Sequence, residues 1–505
     1  MSQRTRHSKA DSHVHLWLPR LTAVMLALAL AGCASMRGLH TEATAIDPDT
    51  VAARNSLADT QFSPAAWPRE SWWKGYGDPQ LDQLIADALS GQPGLRIAEA
   101  RVRQAQAEAN VVGASLYPQV NASLHSTRQR FSDDGTVAPP VAGTWQTIND
   151  VSLGVSYELD FWGKNRAAVN AALGRAKAAE VDLQAARLML TTTLARTYLR
   201  LDLAYAQRDL AEATLRQREQ TLALTRKRVA AQIDSQLELT EAEAALPAVR
   251  ERIAAINESV ALINNQLAAL EGKGPDAGLN ITRPHLAAVG AVSLPSNLPA
   301  KLIGRRPDVV ADRWRVEAAS QDIKVAKAQF YPDISLTGLV GLQSLGFDNF
   351  LNAGSRVLGV GPAISLPIFD GGRLRSNLGA HQAGYDMAVE HYNATVMAAV
   401  HDVVDQLVSL HWLQQQVHEQ DQALALSQHA WELANARYRS GLANYLQVLA
   451  AESQVLAQKE QLIQSQSRQR ELRLNLIRAL GGGYQPAAAP DPVAVSRTRA
   501  QGSKS

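Results

Sequence analysis

Cysteine is nearly absent from this chain: Cys33 is the only one in 505 residues, so no disulfide can form within it. Aromatic residues are scarce, at 5% against 46% apolar overall. That balance favours long helices packed through small and aliphatic side chains over one thick globular core. Strong charge is missing too. A net charge of +2 provides no field to recruit nucleic acid or an acidic partner. Beyond the N-terminus no apolar run reaches the roughly 18 residues of a membrane helix, so a mature chain that spans a membrane must do so with strands. There is no Gly-rich phosphate loop, no nucleophile elbow and no Cys/His ligand spacing. No enzymatic activity, cofactor or metal site is therefore expected in a chain long enough for two or three ordinary domains.

The lone thiol has an informative place. Arg4, Arg6, Lys9 and Arg20 make a positive leader, and Leu21 to Ala31 a short apolar stretch, the layout of a secretory signal. Leu30-Ala31-Gly32-Cys33 then looks like a bacterial lipoprotein processing site, where small residues precede a thiol that takes a lipid. The competing reading is an ordinary signal with a chance cysteine. The only cysteine sits at the one position the chemistry needs, which favours a signal over 1–32 and lipidation at Cys33. Ala34 stands where an Asp tends to retain such proteins in the inner membrane, so the outer membrane is the expected destination.

The remainder is a duplication. Leu116-Tyr117-Pro118-Gln119-Val120 is echoed by Phe330-Tyr331-Pro332-Asp333-Ile334, and Asn265 to Leu270 by Asn475 to Leu480. Partners lie about 210 residues apart, far beyond a solenoid period. The expected layout is an anchor and linker segment over 33–90, a first repeat over 91–271, a linker over 272–304, a second repeat over 305–482 and a disordered tail over 483–505. Each repeat opens with a helix, about Leu95 to Ser115 and Asp308 to Gln329, that a Tyr-Pro pair ends. Two strands follow. Val151, Leu153, Val155, Tyr157 and Leu159 alternate with Ser152, Gly154, Ser156, Glu158 and Asp160, giving one apolar and one polar face. The last strand reads more weakly, with Val360, Ile364, Leu366 and Ile368 on one side and Pro362 and Pro367 inside the run.

Each repeat then enters a helix too long for a globule. Lys164 to Ala231 and Arg373 to Ser440 would each extend roughly 100 Å. Val389, Val396, Val403, Leu410, Val417, Leu424, Trp431 and Tyr438 keep a seven-residue register, and return helices carry Leu239, Leu246, Ile253, Val260 and Leu267, or Val448, Val455 and Leu462. Such seams imply a left-handed coiled coil. Pro247 predicts an irregularity in the first return helix. The fold class is thus mostly α with a small β part: a duplicated unit of long antiparallel coiled-coil hairpin plus β-hairpin. Four strands cannot close a barrel and open edges cannot face lipid, so a spanning chain must oligomerise, as dimer, trimer or tetramer.

Trp72-Trp73-Lys74-Gly75-Tyr76-Gly77-Asp78-Pro79, Tyr157-Glu158-Leu159-Asp160-Phe161-Trp162-Gly163-Lys164, Arg305-Arg306-Pro307-Asp308-Val309 and Ala326 to Ile334 appear in order. This set resembles the TolC-like outer-membrane efflux protein family, and within it the lipoprotein (NodT-type) branch serving resistance-nodulation-division pumps. The resemblance implies a homotrimer with a 12-stranded β-barrel continuous with a 12-helix α-barrel. It implies passive conduction of drugs or other small solutes, a periplasmic adaptor and an inner-membrane pump as partners, and outer-membrane lipid around the barrel. Glu158 and Asp160 would line the lumen. The turns at Gln232 and at Gly441 and Leu442 would dock the adaptor, the first lacking the usual glycine. Closure would rest on Glu238 with Arg437 or Arg439, plus packing of Tyr438.

Two other readings compete. A lipidated periplasmic adaptor would carry one hairpin flanked by Gly-rich β halves, whereas two hairpins occur here. A coiled-coil scaffold leaves the alternating strands and the lipid signal unexplained. His381, His391, His401, His411, His418 and His429 fall on one helix. Only His411 and His418 lie a single heptad apart, two turns of helix, too far to chelate one ion, so a solvated face is the preferred reading over a metal path.

Overall fold

The computed structural model describes residues 36–47, 51, 63–64, 67–287, 293–294 and 304–485. The signal over 1–32, Cys33 and residues 486–505 of the expected tail lie outside the described residues. The chain divides into two units, each drawing on both repeats.

The first unit holds the sheet. Strands β1 (Gln119–Arg130), β2 (Trp145–Glu158), β3 (Asp333–Leu345) and β4 (Arg356–Ser365) lie side by side in that order, all antiparallel. The register sets Ala122 opposite Leu153, Leu153 opposite Val340 and Val340 opposite Leu358. One apolar face thus crosses all four strands, and its large side chains Leu124, Val340, Leu358 and Val360 are exposed. The other face carries Ser123, Ser152, Ser156 and Thr337, with the Ser123 and Ser152 hydroxyls 2.8 Å apart. β1 and β4 each have a single neighbour. The run expected to reach Ile368 stops at Ser365, because Pro367 has no N–H for the ladder; Pro362 is tolerated because β4 is an edge strand.

Sheet and helices meet at an aromatic joint. Trp162 stacks on Tyr331 with ring centroids 4.7 Å apart, and its Nε1 donates to the Pro332 carbonyl at 2.8 Å. Helices α3 (Lys164–Ala230) and α6 (Arg373–Arg439) leave this joint, and each has 67 residues. Their return helices, α4 (Gln236–Leu270) and α7 (Tyr445–Ala479), have 35 each. The duplication is therefore retained residue for residue along both hairpins. α4 is continuous through Pro247.

The second unit is built on the heptad seams. Leu194, Tyr198 and Leu201 of α3 and Val260 and Leu267 of α4 form a buried cluster. It also contains Leu81, Leu84, Ile85 and Ala88 of α1 (Pro79–Gly91). The segment read as anchor and linker is thus partly helical. Asp78 caps α1 with Pro79 at its first position, and the buried residues fall at the i, i+3, i+4, i+7 spacing of one helical face. Asp78 also accepts from the Tyr198 hydroxyl and the His285 N–H, both at 2.7 Å. Burial alone would raise its carboxyl, but those bonds outweigh it and hold it below its ordinary value. The linker over 272–304 is tied down in the same way up to residue 287: Ala287 N donates to Tyr76 O at 2.8 Å, and Gln80 bonds Thr282.

The opening helices of the repeats are α2 (Pro93–Gly113) and α5 (Pro307–Ala328). Just before α5, buried Arg306 binds Asp308, Asp402 and the Ala479 carbonyl. The Arg305 to Val309 word is therefore a clamp between α5, α6 and α7. Gly483, assigned to the disordered tail, belongs to the packed body. A Cβ there would meet the Arg69 backbone at 2.2 Å, and φ is +84°. No helix among the described residues is long and apolar enough to cross a membrane.

Candidate gate at the helical-hairpin turns

Each hairpin reverses through one residue in the left-handed region: Gly441 at φ 75° and Gln232 at φ 57°. Gln232 is the one described non-glycine with positive φ. The missing glycine leaves the turn geometry intact but strained, since this conformation costs an L-residue about 1–2 kcal/mol. Gln232→Gly is expected to stabilise the turn by about 1 kcal/mol, read as slower amide exchange at residues 229–235. Unchanged or faster exchange would contradict the strain.

The turn brings together residues far apart in sequence. Arg228 binds Asp234 through Nε at 2.9 Å and Nη2 at 3.0 Å, a two-point contact across the turn. Its Nη1 donates to the Tyr438 carbonyl at 3.1 Å, and the guanidinium lies 4.2 Å above the Tyr438 ring. The Tyr438 hydroxyl donates to Asp234 Oδ2 at 2.7 Å. Tyr438 itself is buried with Tyr445, Leu222, Leu246 and Val448. The Arg228 bond holds the Asp234 carboxyl below its ordinary range, while burial pushes the Tyr438 hydroxyl up. Three groups from two hairpins thus make one latch.

Tyr438 is packed at the turn, and its partners are Arg228 and Asp234, not Glu238, Arg437 or Arg439. Glu238 closes a capping box: it accepts from the Ser235 N–H at 2.9 Å and bonds the Ser235 hydroxyl, which in turn caps α4. The Ser235 hydroxyl bond draws its carboxyl below the usual value. Arg437 and Arg439 are exposed, with no ion pair to an acid among the described residues. The repeat supplies the reason. Arg437 matches Arg228, but Ala443 stands where Asp234 would be. Arg228 and Asp234 were the missed residues; an acid six positions after a base, across a turn, was the available signal.

The two acids expected to line the lumen, Glu158 and Asp160, both have partners at the end of the sheet. Glu158 is the last residue of β2, and its carboxylate meets Lys164 Nζ at 2.6 Å. Asp160 lies past the strand and accepts from the N–H groups of Asn165 and Arg166 at 3.1 and 2.9 Å. It caps α3 and does not extend the alternation. Among the described residues no three metal-ligating side chains converge. On α6, His418 meets Gln422 and His411 packs edge-on against Trp412.

Residues 84–273 and 298–482 match the family described as outer membrane efflux protein. The chain belongs to that family. Among its relatives is the fusaric acid resistance protein FusA of Burkholderia cepacia, 42% identical over 367 residues, or 72% of this chain and 69% of that protein. The multidrug resistance outer membrane protein MdtP of Escherichia coli O6:H1 is 33% identical over 91% of this chain and 95% of its own. Of solved structures, the outer membrane protein VceC of Vibrio cholerae is similar at a TM-score of 0.79 with 38% identity. It is matched over 83% of this chain and all of its own. The outer-membrane channel OprN follows the same fold at a TM-score of 0.80 and 27% identity, over 90% of this chain. The mostly helical fold with a small antiparallel sheet is thus shared with these outer-membrane proteins.

Proposed function

We propose that this efflux-family chain is the lipid-anchored, trimeric outer-membrane exit duct of a tripartite pump. One observation carries the reading: a four-stranded sheet with both edges open and an exposed apolar face. In lipid such edges must be paired, and neighbouring copies supply the pairing. Three copies give twelve strands. The polar face of Ser123, Ser152 and Thr337 then lines a water-filled passage, and solutes cross it without chemistry. An inner-membrane pump supplies the energy, and a periplasmic adaptor docks at the turns of Gln232, Gly441 and Leu442. Relatives named for fusaric acid and multidrug resistance support small organic compounds as cargo. Deleting the gene in a host stripped of its other outer-membrane channels should raise dye accumulation, and a plasmid copy should reverse it. Unchanged accumulation would contradict the reading.

Cys33 carries the anchor in this reading. Met36, three residues on, packs with Leu39 against Ile323, Phe330 and Leu374, close in sequence to the joint where sheet becomes helix. Cys33→Ser should abolish incorporation of radiolabelled palmitate while leaving transport largely intact, because the barrel itself holds the protein in the membrane. Continued labelling would remove the assignment.

A further inference from the structure

A ladder of polar pairs joins α3 of the first hairpin to α7 of the second. Arg196 meets Glu471 and Asn475, Asp202 meets Arg470, Gln207 meets Glu460, and Arg218 meets Glu452. The last rung differs from the rest. Its side chains are only 11% and 5% exposed, with Nη2 and Oε2 at 2.9 Å. The contact has a single point, and Arg218 Nε is buried without a hydrogen-bond partner. Burial pushes the Glu452 carboxyl above its usual range, against the pull of Arg218. Tyr445, also buried, closes the side toward the turn latch through its contact with Tyr438.

The duplication explains why this charge points inward. Glu452 is the eighth residue of α7, and Glu243 is the eighth of α4. Glu243 pairs with Arg226 of its own hairpin at 3.0 Å, with both side chains about half exposed. The residue of α6 that matches Arg226 is Asn435, which has no charge. Glu452 therefore lacks a base in its own hairpin and reaches across to Arg218 of the other.

We propose that Arg218 and Glu452 form a second, interior latch that holds the two hairpins together in the closed mouth and must part for the mouth to open. This rests on the exit-duct reading. A buried ion pair adds little net stability over an apolar core, yet losing one partner strands a charge. Such a contact suits a two-position element better than a permanent strut. It also lies behind the turn latch, so each latch holds part of the closed state and losing either one shifts the mouth toward opening.

The test is resting conductance of the purified full-length protein in planar bilayers. Glu452→Gln and Arg218→Gln should each raise the resting open probability about tenfold. The exchanged pair, Arg218→Glu with Glu452→Arg, should return it toward wild type. Single variants that lower the melting temperature but conduct like wild type would make the pair a structural strut and overturn the proposal. Arg218→Cys with Glu452→Cys, bridged by a reducible bis-thiol reagent in a Cys33→Ser background, covers the case where the single variants fail to assemble. The bridge should block efflux until reductant is added, and efflux that continues through the bridge overturns the latch. A wild-type protein that never conducts, even with adaptor and pump present, would instead overturn the duct reading itself.

Discussion

Val360→Arg is expected to destabilise the folded protein in a lipid bilayer by about 2–4 kcal/mol per chain, the cost of a cation on the lipid face of a membrane strand near mid-depth. The residue is 83% exposed in the single chain. In a water-facing sheet the same change would fall within about 0.5 kcal/mol of neutral, so the size of the effect reports what surrounds the apolar face. Val360 pairs with Gly338, which pairs with Val155, placing it in the row that crosses all four strands. Thr337→Arg, one position along β3 on the polar face, is the control and should be nearly silent. Urea titration of refolding into vesicles reads both. A silent Val360→Arg would mean that this face does not meet lipid.

Tyr438→Phe combined with Asp234→Ala is expected to raise resting conductance roughly tenfold and to admit vancomycin into cells. Each copy loses a hydroxyl bond to a carboxylate and a two-point Arg228 pair, charge-assisted contacts worth about 1.5–3 kcal/mol apiece when removed. In a trimer the loss is repeated three times. Glu238→Ala should behave differently. It removes a capping contact, costs about 1 kcal/mol of helix stability and leaves the resting current near wild type. The pH dependence has a definite sign. The Asp234 carboxyl is held low by Arg228, so its contribution is complete above the ordinary carboxylate range and fades only as pH falls through the depressed value. Resting current should be flat from about pH 5 to 8 and rise below the usual carboxylate range near pH 4. A rise between pH 6 and 7 would point to a different gate.

The long hairpins were legible because a heptad is a one-dimensional pattern: Val389, Val396, Val403 and Leu410 needed no partner to be recognised, and all four are buried. The strands were legible for the same reason, their alternation matching the register from Ala122 to Leu358. Where a residue's role depended on the end of an element, the reading slipped. Asp160 continued the alternation on paper but stands beyond the last strand residue, where four unpaired N–H groups of α3 compete for it. Glu238 sat in a visible Ser-x-x-Glu box, yet likeness to other channels gave it to the gate. α1 was hidden inside a presumed linker despite its Asp-Pro start. Arg228, Asp234 and Tyr438 could not be joined from sequence alone, because the bond from Tyr438 to Asp234 spans 204 residues and exists only once the hairpins pack.

Native mass spectrometry of the full-length protein released from detergent tests the central claim most directly, since everything proposed for the sheet depends on neighbouring copies closing its two open edges. The account predicts a single species of three chains that persists at low concentration; a stable, folded monomer would contradict it.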